Sequence, residues 1–266
     1  MDKRLEEILV PVKKHDSQGN PKEYIYLKGE ILFCTGTGKA AEANNRGARL
    51  IIEGNYNEAL KVFLESIKNA SLFLPFRYNI GLVFLHLNKL DLALLNLEKV
   101  VGLLPEFWKT YLHIGYIYAR KGRDDVAIEF YRNALSKNPN SLKGYTLIGN
   151  IYFKRNQMER AKTYYDAALT IDPKFPDGLL GLAKIHFKRK EYYRALIIIE
   201  MINLSADYDK SLHYYYAECA YKLRRYKTAY EQYAILLKFR RDKFFLTNSI
   251  ELINHKLNLC KMLIER

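Results

Sequence analysis

Alanine recurs at a spacing of 34 through most of the chain: Ala59, Ala93, Ala127, Ala161, Ala195 and Ala229 fall in step without an insertion. Twelve places before each stands a small residue: Gly47, Gly81, Gly115, Gly149, Ala183 and Ala217. Four places after each stands a large one: Phe63, Leu97, Tyr131, Tyr165, Ile199 and Tyr233. A fixed period of this length marks a stacked repeat, in which each unit buries its apolar face only against its neighbours. Small residues on facing turns let two antiparallel helices approach closely, and the large residue fills the gap beside them. Pro105, Pro139 and Pro173 close the second, third and fourth units, because proline neither extends a helix nor donates from its backbone. Gly54, Asn88, Gly122 and Asn156 fall between the paired helices, where a left-handed residue is wanted. Each unit therefore reads as a helical hairpin.

This pattern resembles the tetratricopeptide repeat family, whose signature runs aromatic, Leu-Gly, Tyr, Ala, Phe, Ala and Pro. The third unit reads Tyr111, Ile114-Gly115, Tyr118, Ala127, Tyr131, Ala134 and Pro139. The fourth reads Tyr145, Ile148-Gly149, Tyr152, Ala161, Tyr165, Ala168 and Pro173. The second keeps Gly81, Phe84, Ala93, Leu97 and Pro105. The first, fifth and sixth depart further, with Ser71 and Asp207 where the first and fifth would carry proline. The resemblance spans residues 40–243 and implies an all-α, right-handed solenoid of six antiparallel helix pairs.

Both ends lie outside the repeat. Residues 1–39 form an N-terminal extension. A short helix is expected from Leu5 to Val10, ended by Pro11, then a polar, turn-rich stretch from Lys14 to Pro21. Glu23 to Phe33 suits a hairpin pivoting at Lys28-Gly29, or an extended segment lying on the solenoid. A lone two-stranded hairpin is marginal in water, so it needs the first repeat or a partner to pack on. Over residues 244–266 the apolar positions Leu246, Ile250, Ile253, Leu257, Cys260 and Ile264 step by three and four along one face. A capping helix over the sixth unit is expected there, with a dimerisation helix as the alternative.

The stretch Gly36-Thr37-Gly38-Lys39 comes after an apolar run and has the look of a phosphate cradle. A Walker loop needs Gly five places before its Gly-Lys pair and Ser or Thr after the lysine, but Phe33 and Ala40 stand there. A dinucleotide fingerprint needs a βαβ unit, and the next segment of the chain is the first helical repeat. The stretch reads as a hinge leading into the solenoid.

Net charge is +14, which favours an anionic partner such as nucleic acid, phospholipid or an acidic protein. No window approaches the roughly 18 apolar residues of a membrane span, and the first residues do not read as a signal peptide. Cys34, Cys219 and Cys260 are odd in number and widely spaced, as expected of reduced thiols. The histidines form no metal-ligand spacing, and no nucleophile elbow occurs. No cofactor and no catalytic residue is expected.

The resemblance implies that the first helix of each unit lines a concave groove. Its groove positions hold Tyr78 and Asn79; Lys109, His113 and Tyr116; Asn150 and Phe153; Lys184 and Phe187; Tyr214 and Tyr215. Aromatics interleaved with lysines suit a peptide or domain with acidic and apolar side chains. The family's clamp for a C-terminal carboxylate is incomplete here. Asn79 and Lys109 match it, but Asn44, Ala48 and His113 replace a lysine, an asparagine and an arginine. A second feature is a basic edge at the turns between paired helices: Arg120, Lys121 and Arg123; Lys154 and Arg155; Lys188, Arg189 and Lys190; Lys222, Arg224 and Arg225. Such cations either meet an anionic partner or simply answer the helix dipole.

The expectation is a non-catalytic adaptor or scaffold of bacterial type, cytoplasmic or peripheral to a membrane-associated assembly. It would hold a protein partner in the groove and take no small-molecule substrate. The alternatives are a solenoid that binds RNA or an anionic membrane through the basic edge, and a structural subunit of an envelope or motility assembly.

Overall fold

Contact between a small residue and a large one joins each pair of helices, as the spacing predicts. A Cβ added at Gly115 would lie 2.5 Å from the Tyr131 ring, one at Gly149 2.6 Å from the Tyr165 ring, and one at Gly81 2.8 Å from Leu97. No side chain fits at these crossings. Ala59, Ala93, Ala127, Ala161, Ala195 and Ala229 are all completely buried opposite them.

The computed structural model describes residues 8–15, 21–36, 38–202, 210–238 and 250–265. The chain falls into two units, Met1–Pro139 and Asn140–Arg266. In the first, three strands, β1 (Ile8–His15), β2 (Pro21–Lys28) and β3 (Ile31–Cys34), precede three hairpins. The hairpins are α1 (Lys39–Ile52) with α2 (Tyr56–Ile67), α3 (Leu74–His86) with α4 (Leu90–Leu103), and α5 (Trp108–Arg120) with α6 (Asp124–Lys137). The second unit holds α7 (Leu142–Lys154) with α8 (Met158–Ile171), α9 (Pro176–Lys188) with α10 (Tyr192–Glu200), and α11 (Lys210–Lys222) with α12 (Tyr226–Lys238). The last helix, α13 (Ile250–Ile264), packs on α12. Among the described residues all strands precede α1, and the architecture is that of an all-α solenoid with a small N-terminal sheet.

The helix expected over Leu5–Val10 is not found. Leu5 lies outside the described residues, and Ile8–His15 is a strand that runs through Pro11. The strand pairs antiparallel with β2, Pro11 facing Tyr24, and it forms the outer edge of the sheet order β1-β2-β3. An edge strand tolerates a residue without a backbone donor, so ladder pairing overrides the helical reading of this short apolar run. The hairpin expected at Lys28-Gly29 is present: β2 pairs with β3 from Lys28↔Ile31 to Ile25↔Cys34, and Gly29 turns with φ 62°. The third strand and the first two helix pairs give this hairpin the support that a lone one lacks. Ile25, Leu27, Leu32 and Cys34 join one core with Phe63, Phe76, Tyr78 and Leu97.

Between paired helices Gly54, Asn88, Gly122 and Asn156 adopt positive φ, at 79°, 58°, 75° and 59°. Lys190 and Arg224 occupy the same place in the fifth and sixth hairpins, at 62° and 59°. A lysine or arginine there strains against its own Cβ, whereas glycine does not. Replacing each by Gly raises stability by about 0.5 kcal/mol after glycine's extra unfolded-state entropy is counted. Urea midpoints of Lys190→Gly, Arg224→Gly and the double variant check this, and a lowered midpoint contradicts it.

The terminal helix covers the last hairpin as expected of a cap. Ile253 and Cys260 are buried against Ala229, Tyr233 and Leu236, with Leu257 partly buried beside them. Ile264 is exposed, and Leu246 and Asp207 lie outside the described residues.

Candidate functional site

On α1 and α3 three asparagines face the strand β3. Asn79 Oδ1 accepts the Leu32 N–H at 3.0 Å, and Asn79 Nδ2 donates to the Leu32 carbonyl at 2.8 Å. Asn44 Nδ2 donates to the same carbonyl at 2.9 Å, and its Oδ1 accepts from Asn79 Nδ2 at 3.0 Å. Asn45 repeats the arrangement one step along: its Oδ1 accepts the Cys34 N–H at 2.9 Å and its Nδ2 donates to the Cys34 carbonyl at 2.6 Å. In an antiparallel strand alternate residues turn their backbone groups away from the partner strand. Leu32 and Cys34 are those residues, and amide side chains satisfy both. Asn44 and Asn79 are fully buried, which such groups tolerate only when bonded.

The first-unit groove residues therefore do not line an open surface. Tyr78 is buried, its hydroxyl 3.0 Å from His113 Nε2, and burial, with the Glu30 charge, holds that hydroxyl well above the ordinary tyrosine range. Asn79 is buried beneath β3. His113 also meets Glu30 at 3.4 Å, and Lys109 donates to the Gly29 carbonyl at 3.3 Å. The physical reason is that an apolar sheet lies where an open groove is expected. Tyr116 alone of this group is exposed, and the Arg120 guanidinium lies 5.6 Å from its ring. The sequence carries a signal for this arrangement: Asn45 and Asn79 stand in register 34 apart, with Asn44 adjacent.

In the second unit the first-helix faces are aromatic. Phe187 on α9 meets Tyr215 on α11 edge-on at 5.1 Å, and Tyr214 meets Tyr215 at 5.5 Å. Lys184 Nζ lies 5.6 Å from the Tyr215 ring. All four side chains are partly exposed. Burial, helped by Glu218 and Tyr215, pushes the Tyr214 hydroxyl up to about 12, so it is a neutral donor at physiological pH. On α7, Asn150 Oδ1 accepts from the Tyr165 hydroxyl at 2.8 Å and Phe153 is half-buried. Glu218 on α11 is buried and engaged: Lys256 of α13 donates to it at 2.5 Å and the Tyr233 hydroxyl at 2.7 Å.

Much of the basic edge has a structural task. Lys121 pairs with Asp91, Arg189 with Glu159, and Arg225 with Glu200 at 3.2 Å. Arg120 also donates to Asn88 at 2.9 Å, and Arg123 lies 5.0 Å from the Tyr118 ring. Each ion pair ties a turn to a second helix in the preceding repeat, and such exposed pairs are worth about 0–1 kcal/mol. Lys154 and Arg155 sit at the end of α7. Among the described residues Lys188, Lys190, Lys222 and Arg224 are exposed and unpaired. The second unit also holds most of the charge: residues 140–266 carry 23 of the 43 Lys and Arg but 13 of the 29 Asp and Glu, a net +10.

The three cysteines are buried and unbridged. Burial pushes the Cys34 thiol up to about 12, an effect only partly offset by the Asn44 amide, and burial pushes Cys219 to about 12 as well. Neither is a ready nucleophile, which requires the thiolate. His186 bonds Glu191 at 2.6 Å and His213 bonds Gln232 at 2.8 Å. No His, Cys, Asp and Glu cluster able to hold a metal ion occurs among the described residues, and no helix there is long and apolar enough to cross a membrane.

Two family models match the sequence, one described as tetratricopeptide repeat over residues 78–141 and one as TPR repeat over residues 149–189. No curated protein matches it. Among solved structures it is similar to PilW, titled a widely conserved type IV pilus biogenesis factor. That match has a TM-score of 0.64 at 16% identity, over 82% of this chain and 99% of that one. PilF of Pseudomonas aeruginosa matches with a TM-score of 0.61 at 15% identity, over 78% and 96% of the two chains. The tetratricopeptide protein TTC0263 of Thermus thermophilus matches at 0.55 and 20%, over 68% and 98%. These likenesses speak to fold. Together with the phased small-large pairs and the left-handed turns, the family models mark residues 78–141 and 149–189 as tetratricopeptide repeats.

Proposed function

We propose that this protein is a non-catalytic adaptor that docks an acidic segment with apolar anchors, from a partner protein, on the α9 and α11 faces of its second unit. Repeat folds of this family serve as protein-interaction scaffolds, and the choice of surface is the finer step. Its main support is the partly exposed cluster of Phe187, Tyr214 and Tyr215 with Lys184 over one ring. Aromatic side chains at such a surface give large contact at little entropic cost, and unpaired cations nearby steer an acidic partner. In the first unit the sheet covers the matching faces of α1 and α3 among the described residues. The cytoplasm, or the inner face of a membrane-associated assembly, is the setting that suits three reduced thiols.

Affinity capture from native lysate supplies the partner, and two variants then decide the surface. Phe187→Ala with Tyr215→Ala weakens binding at least about 30-fold, the equivalent of about 2 kcal/mol for one lost anchor. Changing Lys188, Lys190, Lys222 and Arg224 to Gln slows association and leaves dissociation nearly unchanged. RNA or anionic vesicles bound with a steep salt slope, lost in the Gln variant and kept in the aromatic one, would replace this reading with the basic-edge alternative.

A further inference from the structure

The three asparagines on α1 and α3 hold β3 as a receptor holds a peptide. Their bonds go to the backbone N–H and carbonyl groups of Leu32 and Cys34, and to the Cys34 sulfur at 3.7 Å. Backbone recognition of this kind does not depend on the occupant's sequence, so another extended segment can satisfy it. Side chains add the selection. Leu32 is completely buried, and two places before it Glu30 reaches His113 at 3.4 Å. Lys109 meets the carbonyl of the adjoining turn. The preferred occupant is therefore extended, with an acid two places before a buried apolar residue.

The hairpins beneath do not depend on β3 for their own closure. Gly47 packs on Phe63 within the first pair and Gly81 on Leu97 within the second. Yet the site does not stand empty at low cost. Without β3, Asn44 and Asn79 keep only the bond between them, and the apolar face beside them is opened to water, so one strand leaves as another enters.

We propose that this face of α1 and α3 is a strand-binding site, filled at rest in cis by residues 31–34, and that an extended segment of a partner protein takes the same place in exchange. It is a different surface from that of α9 and α11. The resident strand scales the apparent affinity for an incoming one by the fraction of molecules in which the site is open.

The test uses the full chain and one probe, a fluorescein-labelled synthetic peptide of residues 21–36, followed by anisotropy. Leu32→Lys weakens the resident strand and leaves the asparagines intact. This variant binds the probe at least tenfold more tightly than the natural chain, and Asn79→Ala in the same background removes the gain. A probe carrying Glu30→Lys binds at least threefold more weakly. Hydrogen exchange and far-UV circular dichroism of the Leu32→Lys chain show α1 to α6 still protected. Three results overturn the proposal: a folded Leu32→Lys chain that binds the probe no better than the natural one, binding indifferent to Asn79, or loss of α1 to α6 together with the strand. The last would make the sheet an inseparable part of the core. A natural chain that light scattering shows to be a strand-exchanged dimer would assign the site to a second copy instead and overturn it as well.

Discussion

Replacing Lys256 by Met lowers stability by about 3 kcal/mol, because it leaves the Glu218 carboxylate buried without a counter-charge. Glu218 is 4% exposed at the centre of α11, and Lys256 on α13 stands 2.5 Å from it. The Tyr233 hydroxyl, also bonded to Glu218 at 2.7 Å, is pushed up by burial and then by that carboxylate, so it stays a neutral donor. It cannot neutralise the acid. The cost falls on the second unit, since the ion pair fastens the terminal helix to the last hairpin. Replacing both residues, Glu218→Gln with Lys256→Met, removes the charge along with its partner and recovers most of the loss. Urea denaturation of the two single variants and the double variant measures the coupling. If Lys256→Met costs under about 1 kcal/mol, the pair behaves as an exposed one and the cap is held by its apolar face, Ile253, Leu257 and Cys260. Seeing this pair requires the fold: 38 residues separate its members, and neither stands out in the pattern that marks the repeats.

Tyr165→Ala costs about 3–5 kcal/mol, the range for truncating a large buried ring. Its ring is wedged between two helices other than its own. A Cβ added at Gly149 of α7 would come within 2.6 Å of it, and one at Gly181 of α9 within 2.5 Å. The two glycines bring α7 and α9 onto opposite sides of one side chain on α8. Collapse into the resulting cavity would require all three helices to move, so the site relaxes little and the cost stays high. Tyr165→Phe keeps the ring and loses only the bond to Asn150, worth about 1 kcal/mol. The difference between the two variants isolates packing from hydrogen bonding. A loss below about 2 kcal/mol for Tyr165→Ala would mean that the three helices close over the gap.

The internal plan of the repeats is legible in the sequence because it rests on contacts at fixed, short separations. Gly115 and Tyr131 are 16 residues apart on two turns of one hairpin, and their sizes alone require close approach. The left-handed turns are legible where Gly or Asn occupies them, and hidden at Lys190 and Arg224, where tertiary packing imposes a conformation that the residue itself disfavours. The cap is legible in part: periodicity marks its apolar face, while its ion pair shows only in space.

The groove shows the limit most plainly. Tyr78, Asn79, Lys109 and His113 occupy the positions that the repeat assigns to ligand contact, and they do make contacts of that kind. Asn79, Lys109 and His113 contact the chain's own hairpin, and Tyr78 contacts His113 beneath it. Residues 21–34 carry two short continuous apolar runs of strand length, Tyr24–Leu27 and Ile31–Cys34, but nothing local says which surface buries them. Asn79 and Leu32 are 47 residues apart, and only the stacking of α1 beside α3 brings three amides into line with one strand edge. The sequence by itself determined the hairpins, because each is closed by neighbours within one period. Tertiary structure alone decided which first-helix face is filled and which carries exposed aromatics, because that depends on where a segment outside the repeat finds partners for its unpaired backbone groups.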